Sequence, residues 1–454
     1  MEQLIKKALG NCAVDYLEVR LEERAVTGAN YAGRELEAIG TATSRGGNVR
    51  ALHKGGWGFA SFNTIDELPG KAAEAEQAAR MVGRGRSRLA KVRPVRDEVP
   101  LRIGDDPREV PLEEKEALCR GYNQLILKRE GVISSRLRYE DVFRRQTFAN
   151  TEGADIVEER LHCGLSWSAV AKQGANVQTA HDSYGGGAIG FSQLQGLDEL
   201  VARTADDAVG LLAADKVPSG AYTVVMDPKM CGVFAHEAFG HLSESDHIYE
   251  NAKLKRMMAL GKVFGSRHLS IVDDATIAGE RGSYRYDEEG VPARKNYLIR
   301  HGRLVGRLHS RETAGVMGER PTGSARAISY QFKPVVRMGC TYIEPGGWTF
   351  DRMLEGIDRG LYVVSALGGM TELEMFTFSA MKAYLIERGK VGPMVRDVIL
   401  TGNVFETLKN IDAIGNDLQL HGGLGGCGKD GQSPLPVSDG GPHIRVRNVV
   451  IGGK

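Results

Sequence analysis

The sequence CGVFAHEAFGHLSESD, residues 231–246, places two histidines and a glutamate in an otherwise apolar segment. His236 and His241 are five residues apart, and Glu237 directly follows the first histidine. Imidazole is a good ligand for zinc, and a carboxylate beside a ligating histidine can take a proton from water that the metal activates. The segment therefore indicates a candidate zinc site in which Glu237 is the general base.

The spacing of the two histidines decides what kind of helix can hold them. In the familiar zinc-binding helix the histidines are four residues apart. Five residues on an ideal α-helix rotate by about 140°, so His236 and His241 would point to different sides. A π-bulge would bring both imidazoles to one side, and Gly240 precedes His241 where a backbone distortion is least costly. A shared ion therefore requires a π-type irregularity; the alternative is a helix with two unrelated histidines.

A zinc site also needs a third protein ligand and an open position. The residues alone offer Glu244, His421, Cys427 and His443. Cys427 lies in GGLGGCGKDGQ, residues 422–432, where flanking glycines suit a tight turn and allow a metal to approach closely. Residue chemistry leaves the choice among these four open.

Composition excludes several classes of protein. The chain has 454 residues, of which 42% are hydrophobic and 26% charged, as in a soluble globular protein of two or three domains. The net charge of +1 argues against nucleic-acid binding through a large positive field. No secretory signal and no apolar run of about 18 residues occurs, so we expect no membrane segment. The six cysteines form no CxxC and indicate reduced thiols in a cytoplasmic protein.

Periodicity predicts an α+β fold with a β-rich C-terminal domain that carries the metal-binding helix. The N-terminal half is predicted to consist of helices and antiparallel strands, with an α+β region at 1–86, a linker at 87–111, and a helix with an antiparallel meander at 112–215. The C-terminal domain is predicted at 216–454. Within it, the strand AYTVVMDP ends at Asp227 and Pro228, which suit the cap and first position of the helix. We also expect helices near Thr371–Phe378 and Phe405–Ile411.

Longer stretches resemble a known family. These are HEAFGHLSESD (236–246), GGCGKDGQSPLPVSDGGPHIRVRNVVIGG (425–453), GAYTVVMDPKMCGVFAHE (220–237) and RRQTFANTEGADI (144–156). Together they resemble the TldD/PmbA family, and its TldD branch in particular. The branch called PmbA or TldE lacks the HExxxH pattern, so the pattern identifies the chain as similar to the catalytic branch.

The resemblance implies a zinc-dependent protease. It implies that His236, His241 and Cys427 bind Zn²⁺ and that Glu237 acts as general base. It also implies a cytoplasmic, dimeric protein that cleaves unfolded proteins or peptides, including modified-peptide precursors. The partner subunit would be a second copy or a PmbA-like chain.

The sequence leaves open the roles of several neighbouring residues and two alternative functions. Glu244 and Asp246 are either hydrogen-bonded to the ligand histidines or part of a solvated helix end. A solvated side chain is favoured for Lys429 over a substrate contact, and an ordinary loop position for His443 over a role in polarising a carbonyl. The alternative functions are a non-catalytic metal-binding regulatory or scaffold protein, and a metal-dependent amidase acting on small molecules.

Overall fold

The computed structural model describes residues 2–372 and 374–452, and it confirms a mixed α+β fold with a β-rich C-terminal region. The N-terminal half is built around one sheet. Its elements are α1 (Glu2–Gly10), β1 (Tyr16–Ala32), β2 (Glu35–His53), β3 (Gly56–Phe62), α2 (Leu68–Val82), β4 (Arg96–Val99), α3 (Leu112–Leu127), β5 (Val132–Asn150), β6 (Asp155–Gln173), β7 (Asn176–Gly187) and α4 (Asp198–Ala213).

This seven-stranded sheet joins the two N-terminal regions. Its order is β3-β2-β1-β5-β6-β4, and β7 also pairs with β6. The predicted meander is confirmed as β5-β6-β7, which is antiparallel throughout. The segment predicted as a linker, 87–111, contains β4, which pairs in parallel with the start of β6. Strand β4 covers the part of the β6 edge that β7 leaves open, so backbone groups there are paired.

The C-terminal region contains shorter elements. They are β8 (Asp215–Lys216), β9 (Gly220–Met226), α5 (Pro228–Val233), α6 (Ser245–Ile248), α7 (Ala252–Met257), β10 (Ile271–Asp274), β11 (Lys295–Arg300), β12 (Arg303–Leu304), α8 (Arg311–Met317), β13 (Ala325–Arg326), β14 (Val335–Val336), β15 (Cys340–Ile343), α9 (Phe350–Leu354), β16 (Arg359–Glu372), β17 (Met375–Glu387), β18 (Lys390–Arg396), β19 (Ile399–Asn403), α10 (Val404–Lys409), β20 (Ile411–Ile414), β21 (Gln419–His421), β22 (Cys427–Lys429), β23 (Gln432–Leu435), β24 (Ser438–Gly441) and β25 (Ile444–Gly452). Within the described part of the chain, no helix is long and apolar enough to cross a membrane.

Two sheets frame the helix that follows β9. The eight-stranded sheet has the order β16-β9-β25-β19-β17-β18-β8, with β20 on β25, and a further pairing of β16 with β17 closes it into a ring. The six-stranded sheet has the order β12-β11-β10-β15-β24-β21. Phe234, which follows α5, is fully buried and packs edge-on against Phe376 and Phe378 of β17, with ring centroids 5.7 Å and 6.3 Å away. The core therefore fixes this helix between the sheets.

One predicted helix is wrong. The stretch Thr371–Phe378 forms the end of a β16–β17 hairpin, with Leu373 outside the described residues. Burial alternates along β17, because Phe376 and Phe378 face the core while Met375 and Thr377 are exposed. That alternation is the pattern of a half-buried strand. The other helix, predicted near Phe405–Ile411, is confirmed as α10.

A buried charge network attaches the N-terminal sheet to the C-terminal region. Arg20 of β1 donates to Glu288 at 2.8 Å, and both side chains are 2% exposed. Arg144 of β5 binds the same carboxylate at 2.9 Å. Gln146 donates to it at 2.7 Å. Because buried charges need close partners, these bonds hold the two parts of the chain in register.

Replacing Glu288 with Gln is expected to destabilise the fold by about 3–5 kcal/mol, because it leaves Arg20 buried without its carboxylate partner. The midpoint of urea-induced unfolding measures this change. The matched control is Glu406→Gln, which breaks an exposed pair with Lys409 and should leave the midpoint unchanged. Equal midpoints for the two variants would show that the buried network does not hold the two regions together.

Candidate metal centre

The helix carrying the two histidines changes type along its length. Asp227 caps α5 by accepting a hydrogen bond from the backbone of Met230 at 2.8 Å. The helix continues as a π-helical segment, Phe234–Gly240, and ends in a 3₁₀ turn. The backbone N–H of His241 donates to the carbonyl of His236, which is the i→i+5 bond of a π-helix. The predicted π-type irregularity is confirmed, and it places the two imidazole rings 5.2 Å apart.

Gly240 serves this segment in a different way from the one predicted. Its backbone has ordinary helical angles, φ −56° and ψ −54°, so the π-turn does not use the conformational freedom of glycine. A Cβ at this position would lie 2.0 Å from the sulfur of Met338. The glycine therefore lets the Met338 side chain pack directly against the helix backbone.

Cys427 comes to the same place from the glycine-rich segment. It begins β22 and is 6% exposed. Gly426, immediately before it, has φ +152°, and a Cβ there would lie 2.4 Å from the carbonyl oxygen of Leu435. The Cys427 Sγ lies 3.3 Å from Nε2 of His241, across 186 residues of sequence. One ligand atom from each of His236, His241 and Cys427 lies within 4.8 Å of the other two.

These three side chains fit a metal ion of the zinc type. Zinc–nitrogen distances of about 2.0–2.1 Å and a zinc–sulfur distance of about 2.3 Å place tetrahedral N and S ligands roughly 3.5 Å apart. That separation is close to the 3.3 Å between Cys427 and His241. In the described part of the chain, the buried Nδ1 of His236 has no hydrogen-bond partner.

The Cys427 thiol also has a pKa that favours the metal-binding form. Burial opposes ionisation of Cys427, but hydrogen bonds from His236 and His241, and their charge, lower its pKa to about 5. The thiolate is the form that binds metals, and an ion that binds here displaces the imidazole protons that stabilise it.

Glu237 lies beside the cluster but outside it. Its Oε2 is 3.9 Å from Nε2 of His241, and its side chain is 29% exposed. It lines a cavity of about 230 Å³ together with His236, Cys427 and the glycine segment 423–426. A carboxylate in this position can reach a water molecule near the cluster without replacing a ligand.

A buried charge relay orients His241. Glu244 is fully buried and lies 3.0 Å from Nδ1 of His241. Lys429 is 4% exposed, and its ammonium donates to Glu244 at 3.0 Å, Asp246 at 2.6 Å and the carbonyl of Val336 at 2.9 Å. Burial would raise the pKa of Glu244, but the charge of Lys429 and the bond to His241 lower it to about 2. The carboxylate thus fixes the tautomer that leaves Nε2 free to bind a metal.

This network resolves three open predictions. Glu244 is hydrogen-bonded to His241 as one alternative predicts, whereas Asp246 binds Lys429 rather than a histidine, so neither belongs to a solvated helix end. The prediction of a solvated Lys429 is wrong, because all three of its N–H donors are used within the protein.

The other three candidates for a third ligand do not join His236 and His241 in a shared group among the described residues. Glu244 instead binds Nδ1 of His241 at 3.0 Å. His421 lines the cavity, and burial and the charge of Lys229 lower its pKa to about 4, but it is not part of the cluster. His443 is held between Asp417 at 2.5 Å and Tyr362 at 3.1 Å. Among the described residues, only Cys427 joins the two histidines.

The structure adds cavity residues that the sequence analysis missed. Asp439 lines the cavity, and burial raises its pKa to about 6. His181, Asp182 and Ser183 reach the cavity from β7 of the N-terminal sheet. The alternation along β7 predicts only which face of the sheet each side chain occupies. No signal in one sequence pairs that strand with a helix 50 residues away.

Comparison with known proteins covers almost the whole chain. Models of the PmbA/TldA metallopeptidase family match residues 17–82 as domain 1, 105–216 as the central domain and 219–453 as the C-terminal domain. A protein of Synechocystis sp. named as a metalloprotease is 43% identical over 442 residues, covering 97% of this chain and 95% of the relative. A Saccharolobus solfataricus protein named as a zinc metalloprotease TldD homolog is 27% identical over 457 residues, covering 100% of both chains.

Solved structures share the fold. TldE from Thermococcus kodakarensis superposes with a TM-score of 0.80 at 18% identity, covering 100% of both chains. A protein from Thermotoga maritima superposes with a TM-score of 0.81 at 21% identity, covering 99% of both. At these identities the likeness concerns architecture alone.

Replacing Cys427 with Ser is expected to weaken zinc binding at least about tenfold. The reason is that the serine hydroxyl stays protonated near neutral pH, whereas the cysteine side chain binds zinc as a thiolate. Competition with a chromophoric chelator measures the affinity. Cys12→Ser, which alters a partly exposed thiol remote in sequence, is the control. Wild-type affinity in the Cys427→Ser variant would remove this thiol from the ligand set.

Replacing Lys429 with Met is expected to weaken zinc binding by about 10–100-fold, because Glu244 then lacks the cation that keeps it charged beside His241. The same chelator competition applies, with circular dichroism to establish that the variant is folded. Lys409→Met, on the exposed face of α10, is the matched control. A folded Lys429→Met protein that binds zinc as tightly as the control would contradict the relay.

Proposed function

We propose that this chain, which belongs to the PmbA/TldA metallopeptidase family, hydrolyses peptide bonds with a zinc ion held by His236, His241 and Cys427. The observation that carries the proposal is the meeting of these three side chains beside Glu237, at a cavity that His236, Glu237 and Cys427 line. When bound there, zinc supplies Lewis acidity, which activates water and polarises the carbonyl of a scissile amide.

Glu237 is the general base in this proposal. Its carboxylate is partly exposed to the cavity and lies 3.9 Å from Nε2 of His241, so it is within reach of a water molecule placed near the three ligands. It accepts the proton of that water as the oxygen attacks the carbonyl carbon. The same carboxyl group then donates the proton to the departing amine nitrogen.

The remaining residues position these groups. Glu244 holds Nδ1 of His241 and Lys429 holds Glu244, so the imidazole cannot rotate away from Cys427. Since the side chains of Lys429 and Glu244 are 4% and 0% exposed, the bond between them is made in a low-dielectric environment where it is strong.

The shape of the cavity supports extended peptides or unfolded proteins as substrates. The metal cavity shares His181, Asp182, Ser183 and Leu424 with a second cavity of about 610 Å³ on the N-terminal sheet. The two cavities therefore adjoin at Leu424, and a peptide that lies in both must be extended, with a rise of about 3.3 Å per residue.

We further propose that the protein acts in the cytoplasm as a dimer, with either a second copy or a PmbA-like chain as its partner. An exposed apolar surface on the β16–β17 hairpin supports association, since Leu367, Met370 and Met375 are 49%, 68% and 53% exposed. The net charge of +1 supports peptide rather than nucleic-acid ligands.

Replacing Glu237 with Gln is expected to leave zinc binding intact and to slow peptide cleavage by at least about 100-fold, because the amide cannot accept the proton. Zinc-loaded proteins are compared by mass spectrometry on a peptide library, an unfolded protein and a panel of small amides. Glu387→Gln, which changes an exposed carboxylate on β17, is the control.

Three outcomes would contradict the proposal. Unchanged cleavage by Glu237→Gln would exclude Glu237 as the base. Zinc binding by the wild type without cleavage of any substrate would favour a regulatory or scaffold protein. Cleavage of small amides alone would favour an amidase.

A further inference from the structure

A separate cavity of about 210 Å³ lies between the N-terminal sheet and the C-terminal region. We call it the arginine cavity, after the guanidinium groups in its wall: Arg24, Arg138, Arg144, Arg160, Arg281 and Arg326. Its C-terminal side includes residues 433–436, and Leu435 there pairs with Cys427 in the β22–β23 ribbon. The cavity therefore lies against the ribbon that carries Cys427.

Some of these charges are compensated within the protein. The ion pairs are Arg138–Glu140, Arg144–Glu22, Arg144–Glu288 and Arg160–Glu158. The two carboxylates in the cavity wall, Glu140 and Glu288, are thus already engaged. For the remaining arginines they act only beyond ion-pair distance, as Glu140 does on Arg281.

Arg24, Arg281 and Arg326 have no carboxylate within ion-pair distance among residues 2–372 and 374–452. Arg281 is 4% exposed, and Arg326 is 5% exposed and donates to the backbone carbonyls of Met338 at 2.5 Å and Pro436 at 2.7 Å. The hydrogen bonds of Arg281 go to the backbone carbonyls of Gly423 at 2.9 Å and Gly425 at 2.6 Å, and its buried Nε has no partner in the described part of the chain. The cavity therefore has an excess of positive charge.

Such an arrangement is unfavourable without a counter-charge. Burial lowers the pKa of Arg281 to about 10. The pKa of His162 in the same wall is also lowered, mainly by burial and next by the charge of Arg281. A buried guanidinium without a carboxylate partner is costly, and an anion that enters the cavity removes that cost. The planar guanidinium forms paired hydrogen bonds with carboxylate and phosphate oxygens.

We propose that the arginine cavity binds a compact oxyanion, a phosphate or carboxylate group, between Arg24, Arg281 and Arg326. The volume of about 210 Å³ is below the roughly 300–1,000 Å³ of pockets for drug-sized ligands, which favours a small anionic group. The group is either a free anion or the terminal carboxylate of a peptide. This proposal does not depend on the metal centre.

Two variants test the site without disturbing its buried bonds. Arg24 is partly exposed and makes no ion pair, so Arg24→Gln removes one guanidinium without leaving a partner unpaired. Val142 lines the cavity and is half-buried, so Val142→Glu places a carboxylate where the anion would lie. The control for Val142→Glu is Val142→Gln, because glutamine has the size of glutamate without its charge. The control for Arg24→Gln is Arg45→Gln, on the exposed face of β2.

Isothermal titration calorimetry measures binding of inorganic phosphate at constant ionic strength in chloride. Arg24→Gln is expected to weaken phosphate binding about tenfold, the loss of one charged hydrogen bond, and Val142→Glu to abolish it. Both controls should bind within about threefold of the wild type. Thermal unfolding without phosphate establishes that each variant is folded.

The source of the group is distinguished by a second pair of titrations, with a short peptide bearing a free terminal carboxylate and with its amide. Tighter binding of the free acid identifies a peptide carboxylate, and binding of phosphate alone identifies a free anion. Either result supports the proposal. It is overturned if neither ligand binds above the chloride background, or if Arg24→Gln and Val142→Glu bind as the wild type does.

Discussion

The hydrogen bond from the backbone N–H of His241 to the carbonyl of His236 sets the geometry of the metal centre. It adds one residue to a helical turn, so two histidines that an α-helix would place about 140° apart lie on one side. Glu237, next to the first histidine, is thereby directed at the same cavity. π-Turns are rare and occur often at functional sites, in keeping with the role of this one.

The β22–β23 ribbon supplies the remaining side chains of the metal centre. Cys427 and Lys429 both lie on β22, and they control opposite nitrogens of one imidazole. Cys427 lies next to Nε2 of His241, and Lys429 holds the Glu244 carboxylate that binds Nδ1. Docking of a single strand therefore supplies a candidate ligand and fixes the tautomer of another. The arginine cavity is lined in part by this ribbon. Arg281 donates hydrogen bonds to the glycine segment that precedes the ribbon.

Local sequence determined some of these features and not others. The π-turn followed from the spacing of two histidines, and the cap from Asp227 and Pro228, because both depend on neighbours in the chain. The hairpin at Thr371–Phe378 replaces a predicted helix, because the adjacent apolar residues Met375 and Phe376 interrupt the alternation that is typical of a strand. The burial of Lys429 depends on Glu244, 185 residues earlier, and could not be seen in either segment. Cys427 was one of four candidates by residue chemistry, and only the family resemblance selected it.

The most direct test of the account is X-ray absorption spectroscopy at the zinc edge on the purified, zinc-loaded protein. We predict one zinc per chain, bound by two imidazole nitrogens and one sulfur, and loss of the sulfur signal in the Cys427→Ser variant. A zinc ion without sulfur in its coordination shell, or with a sulfur signal that survives this substitution, would contradict the convergence of the π-turn and the ribbon on one metal.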